Sequence, residues 1–232
     1  MTGVVLQVRL SSSRLPDKAL LPLGGRTVIE NAMRALRGLP ADAWVLATDH
    51  ASCAKLAPYA RREGFEVFAG AAEDVLHRYA AVVRRYRLST VLRATGDNPL
   101  VSPRLAEITQ RVHLNNGSQY TGLLGPPLGT CVEALAAAAL LTADREASDP
   151  YDREHVASYL YRNPERFRVL RPRLGAGYSM PRARVTLDTL EDYERLVALY
   201  DALYDGRPIE IAELLEWLRY HEVRRVSGSP VA

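Results

Sequence analysis

The 232-residue chain has only two cysteines, Cys53 and Cys131, far apart and outside any CxxC pair. That excludes a disulfide framework and a zinc site built on cysteine, and it fits reduced thiols. Lysine is as scarce: Lys18 and Lys55 are the only two, and every other basic side chain is arginine. An arginine in a loop therefore says little about function, while Lys18 says more. Long hydrophobic runs are missing. The longest nearly apolar stretch, residues 132–143, falls short of the ~20 residues of a membrane span, and its alanines read as a helix. The opening MTGVVLQVRL lacks the basic-then-apolar order of a secretion signal. A cytoplasmic protein with no membrane partner is expected. Charge of one sign is also lacking: 30 basic against 27 acidic residues leave a net +3, too balanced to expect a nucleic-acid partner. The patterns GxxxxGK[ST], GxGxxG, HExxH and GxSxG are absent, which removes the P-loop, the dinucleotide fingerprint, the zinc protease and the serine-hydrolase elbow.

What is present is alternation. Apolar runs at 3–8, 44–47, 65–68 and 90–94 have strand length, and helices are expected at 27–37, 52–63 and 73–86. Thr27 is a candidate cap for the first, with Val28, Ile29, Ala32, Met33 and Leu36 on one face. The order β-α-β-α-β-α-β predicts an α/β fold with a mostly parallel sheet and helices on both faces. Beyond residue 100 the pattern loosens. Residues 117–129 are rich in Gly and Pro, helices are expected at 134–143, 151–161, 190–203 and 209–220, and strands at 167–170 and 184–187. With no repeat and no linker, one domain is expected over 1–232.

Ligands in such sheets sit beyond the carboxyl ends of the strands. The loop after the first strand, Arg9 to Lys18, gathers Arg9, Arg14, Lys18 and Ser11, Ser12 and Ser13. A polyphosphate needs such converging cations and donors, although a solvated basic loop has the same composition. Asp97 follows the fourth strand and Gly96. A carboxylate there suits a hard cation such as Mg²⁺, or a turn in which aspartate bonds its own backbone. Asp188 ends the 184–187 strand, and Thr189 with Asp192 forms a capping pattern that does not need Asp188. Glu154 and His155, beside Asp152 and Arg153, could be an acid–base pair or the charged first turn of a helix.

Four segments, in order, resemble the sugar cytidylyltransferases. QVRLSSSRLPDKALLPLGG is similar to their opening A-R-x-x-S-x-R-x-P-x-K, TGDNPLV to G-D-x-P-L, and VTLDTLEDYE to V-D-T-P-E-D-L. REHVASYL resembles the REHVTPYI of the SpsF-like branch, related to the CMP-KDO and acylneuraminate enzymes. The resemblance implies a nucleotide-diphospho-sugar transferase fold, GT-A-like and three-layered, with residues 1–100 as the nucleotide half and 101–232 as the acceptor half. It implies transfer of CMP from CTP to an acidic sugar, or a phosphate or phosphonate acceptor, with release of pyrophosphate, in polysaccharide or surface-glycan biosynthesis. Arg9, Arg14 and Lys18, with Ser11 and Ser13, would hold the nucleotide, together with Arg93 and Thr95. Asp97 and Asp188 would bind Mg²⁺ and act in catalysis with Arg9 and Lys18. Glu133, Arg153, Glu154 and His155 would face the acceptor, and a homodimer is expected. The chain departs from the branch at Asp17, where Gly is usual, at Cys131, where Asp is frequent, and at Leu190, where Pro is usual. Other readings that keep the fold are a glycosyltransferase, an enzyme of another nucleotide, or a silent nucleotide-binding partner.

Overall fold

A computed structural model describes residues 1–12 and 14–227. Ser13, expected in the cradle, lies outside the described residues. The first half runs β1 (Thr2–Gln7), short β2 (Pro22–Leu23) and β3 (Arg26–Thr27), α1 (Val28–Arg37), β4 (Ala43–Asp49), α2 (His50–Arg62), β5 (Glu66–Gly70), α3 (Val75–Tyr86) and β6 (Thr90–Thr95). The second half runs α4 (Pro103–Asn116), β7 (Tyr120–Gly122), β8 (Glu133–Ala136), α5 (Ala137–Glu146), α6 (Pro150–Glu154), α7 (Ser158–Arg162), β9 (Val169–Leu170), α8 (Leu190–Leu203) and α9 (Ile211–Ser227).

One sheet in the order β5-β4-β1-β6-β8-β7-β9 runs through the chain. β5, β4, β1 and β6 are mutually parallel, and β8 is antiparallel to both β6 and β7. The central strands are apolar on both faces because both faces are covered: Val4, Val5, Leu6, Val45, Leu46, Val91 and Leu92 are fully buried. On one face, Val5, Val45, Val91 and Leu135 pack against Leu76, Tyr79 and Val83 of α3 and Leu140 of α5. On the other, Val4, Leu6, Leu46 and Leu92 meet Ile29, Met33 and Leu36 of α1 and Leu56 of α2. That is the expected three-layer α/β arrangement. A further cluster joins α8 and α9 through Leu196, Leu199, Leu214 and Leu218 to Val28, Leu105 and Leu187. Among the described residues, no helix is long and apolar enough to cross a membrane.

Local chemistry sets the helix starts. Thr27 and Glu30 form a full capping box on α1, worth about 1 kcal/mol. Asp49, Asp74 and Ser102 each accept a backbone N–H at the starts of α2, α3 and α4.

Four expectations are corrected. The alanine-rich segment is not one helix over 134–143. Residues 133–136 form β8, because pairing with β6 and β7 outweighs alanine's helix preference; the helix starts at Ala137. The helix expected over 151–161 breaks into α6 and α7 around Val156, whose φ of 45° no α-helix accommodates. Residues 120–122 of the Gly/Pro-rich segment form β7, and residues 184–187 make only an isolated bridge, Leu128 to Arg184.

Candidate active site

The loops at the carboxyl ends of β1 and β6 meet the segment before α8. The backbone N–H of Leu187 donates to the carbonyl of Asp97 at 2.9 Å, fastening the two aspartate-bearing loops together. Gly96 makes room: a Cβ there would meet Val8 and Ile29 side-chain atoms at 2.8 Å. Asp97 is thereby set on the floor of a cleft.

Into that cleft comes Lys18. Its Nζ donates to Asp97 Oδ2 at 3.3 Å, to Asp188 Oδ1 at 3.0 Å and to the Leu187 carbonyl at 2.6 Å. Lys18 and Asp188 are 15% and 19% exposed along their side chains and Asp97 30%, so solvent screens these contacts only in part. Arg14 donates to the same Asp188 oxygen at 3.0 Å from an exposed position. Arg184 lies 3.6 Å from the other oxygen and also bonds Asp192. Asp192 accepts the backbone N–H groups of Asp188 and Thr189 at 2.9 Å. Partial burial works against its charge, but those donors prevail and hold it below the usual carboxylate range. The capping role expected of Thr189 and Asp192 is thus present, and Asp188 stands outside it, aimed at Lys18.

Two cavities share this centre. One, of about 380 Å³, is lined by Arg9, Ser11, Arg14, Lys18, Glu154 and His155 among others. The second, of about 430 Å³, is lined by Arg93, Tyr120, Cys131, Glu133, Arg171 and Arg184 among others. Thr95, Asp97 and Asp188 line both. The two carboxylates form the partition between a cationic loop cavity and a mixed one.

Arg9 reaches Glu73 at 3.7 Å and Glu154 at 3.8 Å, both loosely. Arg93 bonds Glu133 and, through Nε, Gln7 at 3.2 Å, so it faces the second cavity and its fork is already engaged. Burial disfavours the Arg93 charge, yet Glu133 more than restores it and the pKa rises. The Tyr120 hydroxyl donates to Glu133 at 2.7 Å, and burial with that carboxylate raises its pKa. The four residues expected at the acceptor are divided. Glu133 lines the second cavity, and Glu154 and His155 line the first. The Arg153 guanidinium bonds Asp74, Asp144 and the Asp144 carbonyl instead, bracing α6 against α5 and the cap of α3. Cys131 is half-buried, and desolvation pushes its thiol up to about 11, which disfavours the thiolate. Asp17 adopts φ 51°, the left-handed conformation that explains glycine at this place in the branch, and its carboxylate turns to Lys55 at 3.4 Å. Its charge is thereby drawn to the other lysine.

Tyr120, Arg171, Arg184 and Thr186 join the second cavity without any motif to mark them; Arg184 and Thr186 lie in the segment expected as a strand, which points to no ligand by itself. Among the described residues no three His, Cys, Asp or Glu side chains gather as a metal site. Two hard carboxylates aimed at one cation nonetheless fit Mg²⁺, which is commonly held by one or two carboxylates plus substrate phosphates.

The chain is 34% identical, over 92% of its own length and 92% of the relative's, to the spore coat polysaccharide biosynthesis protein SpsF of Bacillus subtilis. It is 27% identical to a 3-deoxy-manno-octulosonate cytidylyltransferase of Acidithiobacillus ferrooxidans, covering 93% of this chain and 85% of that one. A solved cytidylyltransferase structure from Leptospira borgpetersenii superposes with a TM-score of 0.88 at 25% identity, covering 96% and 95% of the two chains. The cytidylyltransferase family model matches residues 4–221, and with these relatives it shows that the chain belongs to the cytidylyltransferase family.

Proposed function

We propose that this protein transfers CMP from CTP to an acidic sugar, or to a phosphate or phosphonate acceptor, and releases pyrophosphate. One observation carries the reading: Asp97 and Asp188 border both cavities, so a reacting α-phosphate beside them is reachable from either side. The nucleotide takes the cavity of the first half, where Arg9, Arg14 and Lys18 converge on its triphosphate and Ser11 and Thr95 offer hydroxyls. Arg93 supports that side from below through Gln7, and the second half supplies the acceptor cavity. There Arg171 and Arg184 favour an anionic acceptor and Glu133 offers a hydrogen-bond acceptor to sugar hydroxyls.

The chemistry is an in-line displacement. An acceptor oxygen attacks the α-phosphorus, a hydroxyl acceptor giving up its proton to solvent, the bond to the bridging oxygen breaks, and pyrophosphate leaves with its electron pair. Negative charge builds on the phosphoryl and leaving oxygens, where preorganised cations are most effective. Mg²⁺, held by Asp97 and Asp188 with phosphate oxygens, would add positive charge at that centre. Arg9, Arg14 and Lys18 orient the triphosphate and take up charge on the departing pyrophosphate. The reduced thiols Cys53 and Cys131 suit a cytoplasmic enzyme, and a homodimer belongs to this reading. Similarity to a spore coat polysaccharide protein and to a sugar-acid cytidylyltransferase supports a role in glycan synthesis.

The test is pyrophosphate release from CTP with Mg²⁺ across a panel of sugar acids, sugar phosphates and phosphonates, paired with thermal shifts in CTP, UTP, ATP and GTP. Release with one acceptor class and selective stabilisation by CTP are expected. Stabilisation by another nucleotide alone, or CTP binding without turnover on any acceptor, overturns the proposal.

A further inference from the structure

We propose that Lys18 is the protein's own counter-cation between Asp97 and Asp188, and that a divalent ion binds this carboxylate pair only once a triphosphate has drawn Lys18 away. The inference rests on the reading that the cationic cavity takes a triphosphate. It adds an order of binding to that site.

The geometry is that of a filled cation position. An ammonium has three donors, and Lys18 spends them on Asp97 Oδ2, Asp188 Oδ1 and the Leu187 carbonyl at 3.3, 3.0 and 2.6 Å. Both carboxylates are turned to the same nitrogen, and Arg14 adds a second positive charge on Asp188. A divalent ion approaching alone meets an ammonium in its place and a guanidinium beside it, and both repel it. A triphosphate changes the balance. It meets Arg9 and Arg14 first, because Arg14 is exposed and Arg9 is held only by contacts of 3.7 and 3.8 Å. Its oxygens then offer Lys18 anionic partners on the cavity side, since Lys18 lines the same cavity. As Lys18 and Arg14 transfer to phosphate, Asp97 loses its ion partner, Asp188 keeps only the looser 3.6 Å contact with Arg184, which also bonds Asp192, and the pair regains affinity for a cation. The backbone carbonyl of Leu187, fixed by its own N–H to Asp97, keeps Lys18 anchored until then. Linkage makes the effect reciprocal: what the triphosphate gains from the ion, the ion gains from the triphosphate. No other lysine can take this place, because Lys55 is paired with Asp17.

The experiment titrates Mn²⁺ into the nucleotide-free full chain and reads free ion by electron paramagnetic resonance. Wild type is expected to bind weakly. Lys18→Met is expected to bind more tightly, by roughly 5–150-fold, the usual span of coupling between linked sites. Asp97→Asn placed on Lys18→Met should abolish the gain and so assign the ion to the pair. Lys18→Gln, closer in polarity, serves if circular dichroism shows Lys18→Met misfolded. A further wild-type titration with a non-reacting α,β-methylene analogue of CTP should show protein-bound Mn²⁺ at concentrations where the chain alone binds none. Mn²⁺ binding by nucleotide-free wild type that depends on Asp97 and equals that of the Lys18 variants overturns the proposal. So does binding as tight without the analogue as with it. The variant titrations use neither nucleotide nor acceptor, so their failure leaves CMP transfer standing, while absence of pyrophosphate release would sink the functional reading and leave the metal result intact.

Discussion

The Lys18 ammonium donates to Asp188 at 3.0 Å across 170 positions of sequence. The opening loop and the segment before α8 are thus one piece of machinery. The same ammonium reaches Asp97, in the loop just beyond β6. Three distant segments therefore meet at a point, which is what in-line phosphoryl chemistry needs from a scaffold.

Asp97→Asn and Asp188→Asn are each expected to lower turnover by about 10²-fold or more, the usual effect of losing a central group that handles transition-state charge. Lys18 keeps two acceptors in either variant, so thermal melts should stay close to wild type. Pyrophosphate release at saturating CTP and Mg²⁺ checks this; near-normal kinetics in both would remove the pair from the mechanism.

Glu133→Gln should destabilise the fold by about 2 kcal/mol. The loss falls below the 3–5 kcal/mol of a fully buried pair because the Arg93 and Glu133 side chains keep 16% and 25% exposure. Pairing it with Arg93→Met should recover most of the loss, since the stranded charge is then gone. Urea midpoints of the single and double variants decide the point.

His113 on α4 is buried with Ser118 and Thr121 around its Nδ1, at 3.3 and 3.2 Å, and burial lowers its pKa below the ordinary 6.5. The sign follows from linkage. The unfolded chain takes up the proton first, so stability is whole above pH ~6.5 and falls as pH drops through the lowered folded value. His113→Asn should flatten this slope between roughly pH 7 and 5. Melting temperatures across that window test it; an unchanged slope would clear His113 of the effect.

At Asp17, φ 51° favours residues that accept the left-handed region. Asp17→Gly should leave stability within about 0.5 kcal/mol, while Asp17→Val should cost about 1–2 kcal/mol. Chemical denaturation of the two variants checks the difference.

Much of this was readable beforehand, and the reasons are local. The parallel strands are short apolar runs ended by polar loops, and the cationic loop and Asp97 follow two of them directly. Asp188 stood out because Thr189 and Asp192 explained the cap without it. α4 is hard to read in the sequence, although Ser102, Pro103 and Gly117 mark its ends. Its buried face includes Thr109, Gln110 and His113, which break the apolar period. β8 was hidden in an alanine run whose strand character comes only from its neighbours. The second cavity was illegible because Tyr120, Arg171 and Arg184 share no spacing. They meet only through sheet pairing and the bridge from Leu128 to Arg184.

Because β8 runs against β6, its first residue, Glu133, pairs in register with Arg93 near the far end of that strand. The connection from β7 to β8 is thereby delivered to the same rim as the nucleotide loops, although it belongs to the opposite end of its own strand. Residues 123–132 do not hang there loosely: bridges from Leu124 to Arg173 and from Leu128 to Arg184, and the Thr130 carbonyl accepting from the Ser102 N–H at 2.8 Å, tie them to the segments on either side. On the proposed reading the wall of the acceptor cavity is therefore as rigid as the sheet that carries it, and a change of acceptor is expected to come from side chains rather than from loop length.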